Sequence, residues 1–250
     1  MKLINVYTGD TTKPIYTPSA TELAFAANAN LLAWMEGDTG FTTASNTKWH
    51  DRKTGKPYTV TGTISAGTAM NGNGTRAFIE DTNAAVTSGI PVSGDYSMFA
   101  VVNVKKTTAQ SSACYWLGSP SGSVYFGFGG QIQTGDTNFR MNVSQNGVAS
   151  ITGTVDHPTN VVCLVSVYWD QATGTHRTYF NGVLEATSGA GRASNAETTL
   201  WVGDIGLAGS RGMIGDIGAV MVFNVDCNKS ANTALGATVI SYLKTKYGIA

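Results

Sequence analysis

Apolar positions along this chain recur mainly with a period of two, in strand-length runs set between polar, glycine-containing breaks. The densest of them spans Val161 to Ala186, VVCLVSVYWDQATGTHRTYFNGVLEA. Val161 to Trp169 is rich in β-branched and aromatic residues and predicts a strand. Asp170-Gln171-Ala172-Thr173-Gly174 is a polar loop with a glycine available for positive φ, and it returns the chain into His176 to Phe180. Asn181-Gly182 then sits between strand residues, where a type I′ turn needs positive φ at both central positions. That turn sets Phe180 opposite Val183 and Tyr179 opposite Leu184, with successive pairs on opposite faces of the sheet. Three antiparallel strands are expected here, at the centre of the fold.

Leu31 to Met35, Thr59 to Ser65, Arg76 to Ile79, Asp95 to Val104, Tyr115 to Gly118, Val124 to Phe128, Phe139 to Val143, Thr199 to Gly203 and Ile214 to Asn224 predict further strands. Gln145-Asn146-Gly147-Val148 is a second Asn-Gly turn. No helical pattern separates these strands, which argues against a parallel βαβ sheet and for a sandwich or barrel. One helix is predicted, over about residues 230–247. Ser230 is its capable N-cap, Leu235, Val239, Leu243 and Tyr247 form its apolar stripe, and Gly248 is its C-terminal cap. Lys244 and Lys246 suit the negative helix end. The N-terminal stretch carries Pro14 and Pro18 in a Thr-rich context, and proline withholds a ladder hydrogen bond. Residues 1–25 are therefore expected to be an extended arm, either a loose terminus or an anchor onto a neighbouring subunit. Residues 26–250 read as one domain.

Composition narrows the function classes. Charged residues make up 13% of the chain, about half the usual ~25% share. Sixteen basic side chains balance sixteen acidic ones, so neither a basic footprint for nucleic acid nor an acidic surface for cationic partners is expected. No apolar run is long enough for a membrane span, and the N-terminus shows no signal-peptide pattern. Cys114, Cys163 and Cys227 are widely spaced and odd in number, which favours free thiols and folding in a reducing cytoplasm.

Several stretches carry a family resemblance. DYSMFAVVNVKK, the strand-turn-strand unit from Val165 to Glu185 with YFNGVLE, TLWVGD, and above all the ending IGDIGAVMVFNVDCNKSANTALGATVISYLKTKYGI are the matching pieces. Over roughly residues 26 to 250 the chain resembles the laminin-G-like jelly rolls of the concanavalin-A-like lectin/glucanase superfamily, modules common in phage virion proteins and secreted bacterial proteins. The resemblance implies an antiparallel jelly-roll β-sandwich. It departs at Ala219, where many relatives carry an acidic residue.

Catalysis by a retaining glucanase of that superfamily needs two carboxylates about 5–5.5 Å apart. No strand shows alternating acidic residues; Glu36/Asp38 lies in a turn-prone stretch, and adjacent Glu80/Asp81 would face opposite ways on a strand. His50, His157 and His176 are far apart and lack zinc-ligand spacing. The Gly127-Phe128-Gly129-Gly130 run lacks the following helix that phosphate binding requires. Asp204 and Asp216, each flanked by glycine, are candidates for a Ca²⁺ site, against local turn hydrogen bonding as the plainer role. For sugar binding, Trp169, Tyr115 and Trp116 are the candidate platforms, with Tyr125 and Tyr179 behind them. Core packing is the competing role for each, and Trp169 is favoured because it ends its strand beside the 170–175 loop.

The expectation is an all-β, concanavalin-A-like jelly-roll sandwich with an extended N-terminal arm and one C-terminal helix. From the resemblance, the expected function is a non-enzymatic structural protein of a phage virion, a capsid decoration or a tail or collar component assembled in the host cytoplasm. Its partners would be other virion proteins, or itself through the arm. The alternative is an extracellular lectin-like module that attaches to surface glycans.

Overall fold

A computed structural model describes residues 18–37, 48–61, 64–71, 74–78, 85–87, 90–91, 93–105, 113–119, 126–132, 138–145, 148–189, 200–203 and 215–250. In chain order the first elements are α1 (Ala20–Ala27), β1 (Leu31–Glu36), β2 (Lys48–His50), β3 (Pro57–Thr61), β4 (Ile64–Asn71), β5 (Gly74–Phe78), β6 (Ala85–Thr87), β7 (Tyr96–Val104) and β8 (Ala113–Ser119). There follow β9 (Phe126–Ile132), β10 (Asn138–Gln145), β11 (Val148–Thr152), β12 (His157–Pro158), β13 (Val162–Asp170), β14 (Thr175–Phe180), β15 (Val183–Thr187), β16 (Trp201–Val202), β17 (Gly215–Phe223) and α2 (Thr233–Tyr247). Strands β1-β17-β7-β13-β14-β15 form one sheet and β11-β10-β9-β8-β16-β6-β3-β2 the other, with β12 on β10 and β4-β5 as a separate hairpin. Every pairing is antiparallel.

The Val161–Ala186 unit forms as its pattern predicts. Asn181 and Gly182 take φ of 49° and 85°, and the register places Phe180 on Val183 and Tyr179 on Leu184. Asn181 adds a bond of its own, its side-chain oxygen accepting the Leu164 N–H at 2.9 Å.

Two apolar layers flank the six-stranded sheet. Between the sheets lie Trp49, Tyr96, Met98, Trp116, Phe128, Phe139, Val165, Val167 and Trp169. On the outer face Trp34, Phe99, Leu164, Tyr168, Met221 and Phe223 meet Phe25 of α1 and Val239, Leu243 and Tyr247 of α2. All nine residues of β17 are buried because both faces of that strand are covered, which is why its sequence runs apolar from Ile217 to Phe223 instead of alternating. A bulge at Gly218 lets Ile217 point into the inter-sheet layer and Ala219 toward the helices. A Cβ on Gly218 would collide with the Tyr247 ring and lie 2.8 Å from the Met70 sulfur. The glycine of this Gly-Asp-Ile-Gly segment thus serves a bulge and a close helix approach.

The arm expected over residues 1–25 needs correction at its end. Residues 20–27 are helical, and residues 1–17 lie outside the described residues. Ser19 caps α1 reciprocally with Glu22, the Glu22 N–H donating to the Ser19 hydroxyl at 3.2 Å and the Ser19 N–H to the Glu22 carboxylate at 2.8 Å. Pro18 sits just before this cap, where it disturbs no helical bond. At the other terminus α2 starts at Thr233 with Asn232 as N-cap, two residues past Ser230, and Gly248 closes it with φ 58°.

Candidate functional site

The three aromatic candidates are core residues, which corrects the expectation of an exposed platform. Trp169 is 1% exposed, stacked against Tyr96 and 4.4 Å from the His176 ring. Its place on β13 shares the inward parity of Val165 and Val167, so ending the strand does not free it. Trp116 is fully buried, edge-on to Phe128 and Phe139. Tyr115, 2% exposed, lies over Gly127, where a Cβ would come within 2.5 Å of its ring, and its hydroxyl meets Ser144 at 3.1 Å. Tyr179 is also buried, its hydroxyl donating to the Asn228 side-chain oxygen at 3.1 Å.

Asp204 and Tyr125 lie outside the described residues. Asp216 is buried, with the Asn103 amide at 3.2 Å and the Lys105 ammonium at 3.4 Å from one carboxylate oxygen. Among the described residues, no three His, Cys, Asp or Glu side chains converge as metal ligands. The histidines stay apart: His157 pairs with Glu185 at 2.7 Å, and His176 meets the Tyr96 hydroxyl at 2.8 Å.

Tertiary structure does bring two carboxylates together, Glu22 of α1 and Glu36 of β1, a pair with no signature in sequence spacing. Tyr242 of α2 donates within range of both, at 3.0 and 2.7 Å. Arg52 bridges them, bonding Glu36 and lying 3.0 Å from Glu22, while Lys246 binds Glu36 at 2.6 Å. The Arg52 guanidinium also covers the Trp34 ring at 4.4 Å. Burial alone would raise the Glu36 carboxyl, but Lys246 and Arg52 hold it below the ordinary carboxylate range. The Glu22 side chain is 5% exposed and that of Glu36 0%. Both carboxylates are sealed from solvent and held by Arg52, Lys246 and Tyr242, so the cluster fastens α1 and α2 to the sheet.

The half-exposed polar constellation lies at the end of the sandwich where β13 turns into β14. Asp170 ends β13 and organises the turn, accepting the Ala172 N–H at 3.1 Å and the Thr173 hydroxyl at 2.8 Å. Asp95, just before β7, accepts the Gln171 N–H at 3.0 Å. Lys229, from the loop before α2, joins Asp95 at 2.7 Å and Asp170 at 3.0 Å. That loop is itself braced: the Cys227 N–H donates to the Ser97 hydroxyl at 2.8 Å, and the Asn228 N–H to Asp226 at 2.8 Å. Hydrogen bonds from Lys229 to Asp95 and Asp170 raise the lysine further above its ordinary range. For Asp170 burial pulls upward, but Thr173 and Lys229 outweigh it and the carboxyl is lowered. Burial raises Asp226, which faces Arg177 at 3.5 Å. Gln171, Thr173 and Asn228 are exposed and the Lys229 side chain is 38% exposed. Carboxylates, an ammonium and exposed amide side chains thus share one rim. The sequence pointed to this loop through Trp169; Asp95 and Lys229 escaped notice because they are 134 residues apart.

No protein-family model matches the sequence, and no curated protein matches it. Solved structures do resemble the fold. Domain 4 of AbnA, an extracellular GH43 arabinanase from Geobacillus stearothermophilus solved with arabinotriose, aligns at TM-score 0.58 and 18% identity, covering 83% of this chain and 98% of that domain. A mutant Trypanosoma rangeli sialidase displaying trans-sialidase activity aligns at TM-score 0.61 and 12% identity over 87% of this chain, which spans 34% of the sialidase. The binding domain of Paraclostridial Mosquitocidal Protein 1 aligns at TM-score 0.59 and 10% identity, covering 84% of this chain and 52% of that one. At these identities the likeness concerns the fold and carries no activity with it. The fold of this chain is an antiparallel jelly-roll β-sandwich with one C-terminal helix.

Proposed function

We propose that this chain is a non-enzymatic, lectin-like module that binds carbohydrate at the rim formed by Asp95, Asp170, Gln171, Asn228 and Lys229. The observation that carries this reading is the braced ammonium between two carboxylates, at 2.7 and 3.0 Å, beside exposed amide side chains. Each sugar hydroxyl both donates and accepts, so neighbouring hydroxyls suit alternating acceptors and donors on a rigid frame. The arabinotriose in one structural neighbour belongs to that protein, and makes sugars the first ligands to try. With Trp169 in the core, no exposed aromatic face among the described residues adds stacking at this rim, so single-site affinity is weak and many displayed copies supply the avidity.

Display in many copies agrees with the second reading, a structural component of a phage virion, implied by the laminin-G-like ending. Its supporting observation is the clasp: α1, which directly follows the N-terminal stretch, is fixed to the sandwich by Arg52 and Tyr242, as a load-bearing arm would require. Two experiments separate the readings. A glycan array probed with the multimerised chain should show saturable binding that Lys229→Ala and Gln171→Ala abolish while both variants stay folded; a wild-type chain that retains no glycan defeats the lectin reading. Mass spectrometry of density-purified particles should find the chain at a fixed ratio to a shell or tail protein. Its recovery only among soluble proteins defeats the virion reading.

A further inference from the structure

The end of the sandwich that carries the rim holds more acid than base. Lys229 lies 2.7 Å from Asp95 and 3.0 Å from Asp170, so one ammonium serves two carboxylates. Asp226, three residues before Lys229 in the same loop, is a third carboxylate, and the cation it faces is Arg177 of β14 at 3.5 Å. Among the described residues this cluster sets three aspartates against two cations.

Asp226 is also incompletely paired. Its side chain is 1% exposed, and its Oδ1 accepts the Asn228 N–H at 2.8 Å. Its Oδ2 makes no hydrogen bond, and neither does the buried Arg177 Nη1. Burial pushes the Asp226 carboxyl upward most; the Asn228 N–H and Arg177 oppose that rise, and the like charges of Asp170 and Asp95 add to it. Asp226 therefore sits in the negative field of the rim, and a positive charge brought to the rim would relieve it. An anion arriving there would find its attraction to Lys229 opposed by the two carboxylates already bonded to that lysine. Because the aspartates do not converge as metal ligands, an organic cation suits them better than a metal ion. An ammonium is such a cation, with three donors that can reach separate acceptors.

We infer that this rim selects sugars carrying a free ammonium group and rejects sugars carrying a carboxylate. The inference rests on the lectin reading and names the ligand class of that same site. Selection has an attractive and a repulsive half. A protonated sugar amine beside Asp95 or Asp170 offsets the surplus negative charge, while ring hydroxyls meet the exposed Gln171, Thr173 and Asn228. A uronic acid adds negative charge to the same surplus. N-acetylation of the amine removes its charge and keeps the ring hydroxyls, so the acetylated sugar isolates the electrostatic part. One unit-charge contact at about 4 Å in water is worth about fivefold in affinity.

Equilibrium binding of the full chain to immobilised oligosaccharides tests this, at about pH 6, above the ordinary aspartate range and below that of an amine. The three ligands are a glucosamine oligomer, its fully N-acetylated form and an oligogalacturonate of matched length. The glucosamine oligomer should bind about fivefold tighter than the acetylated one, and the oligogalacturonate should bind weakest. Added salt should narrow the differences. Asp95→Asn removes one charge yet keeps an acceptor for the Gln171 N–H, and it should bring the first two ligands to within about twofold of each other. Equal affinity of wild type for the free and acetylated amines, or tighter binding of the oligogalacturonate, overturns the inference and leaves the lectin reading standing. A lysine oligomer that binds as tightly as the glucosamine oligomer also overturns it, because charge alone would then account for the attraction. Failure of all three sugars to bind removes both readings together.

Discussion

Replacing Arg52 with Met tests the buried clasp most directly. Among the described residues two carboxylates, Glu22 and Glu36, face two cations, Arg52 and Lys246, and these four charges balance. Arg52→Met leaves one negative charge in surplus around side chains that are 5% and 0% exposed. Removing one partner of a buried ion pair costs about 3–5 kcal/mol, chiefly because the survivor stays desolvated and uncompensated. Unfolding entropy of about 2.1 cal/mol/K per residue over 250 residues converts this to a fall in melting temperature of about 6–10 °C. Adding Glu22→Gln restores neutrality, so the double variant should lose much less than Arg52→Met alone. The sign with pH is also fixed. The Glu36 carboxyl is lowered in the folded state, so its contribution is present above the ordinary value of 4.5 and is lost as pH falls through the lower folded value. In Arg52→Met, by contrast, protonating the surplus carboxylate removes the offending charge, and the deficit against wild type should shrink on acidification. Chemical denaturation of the four-member cycle at neutral and mildly acidic pH measures all of this. A loss below about 1 kcal/mol for Arg52→Met, or no recovery in the double variant, would refute the electrostatic account.

Trp169→Ala should act on stability and leave sugar specificity alone: emptying a site that is 1% exposed costs about 3–5 kcal/mol, read as a shifted denaturation midpoint. Asn181→Ala should cost about 1–2 kcal/mol, since it removes the acceptor for the Leu164 N–H and leaves a β-carbon residue at φ 49°; equilibrium unfolding that matches wild type would contradict this. Burial pushes the Cys163 thiol up to about 12 and the Cys227 thiol to about 11, so in a Cys114→Ser background neither should react with a thiol reagent at pH 8 until the protein unfolds.

Local chemistry made much of the fold legible. An Asn-Gly turn admits few conformations, and its register propagates strand by strand, so Phe180 and Tyr179 found their partners from sequence alone. The α2 stripe of Val239, Leu243 and Tyr247, and its Gly248 cap, depend on residues within a few turns of one another. The Ser19–Glu22 capping box is equally local, but Pro14 and Pro18 beside it favour an extended segment, so the two local signals conflict there.

Which face of a strand meets water is a different kind of question. Period two says that Trp169 and Tyr168 point opposite ways, but both ways prove buried, because one side meets the second sheet and the other meets α1 and α2. No pattern along β13 contains the information that two helices cover its outer face. Likewise Glu22, Glu36, Arg52 and Lys246, or Asp95, Asp170 and Lys229, come from distant parts of the chain, and their spacing in sequence holds no trace of their meeting. The sequence by itself determined the strands, the principal hairpin, the C-terminal helix and the sandwich class, since backbone preference and hydrophobic period are short-range properties. Only the tertiary structure decided that the expected platform is core, that Glu22 and Glu36 are tied to Arg52 and Lys246, and that Asp95, Asp170 and Lys229 meet at one rim, because burial and charge pairing depend on long-range packing.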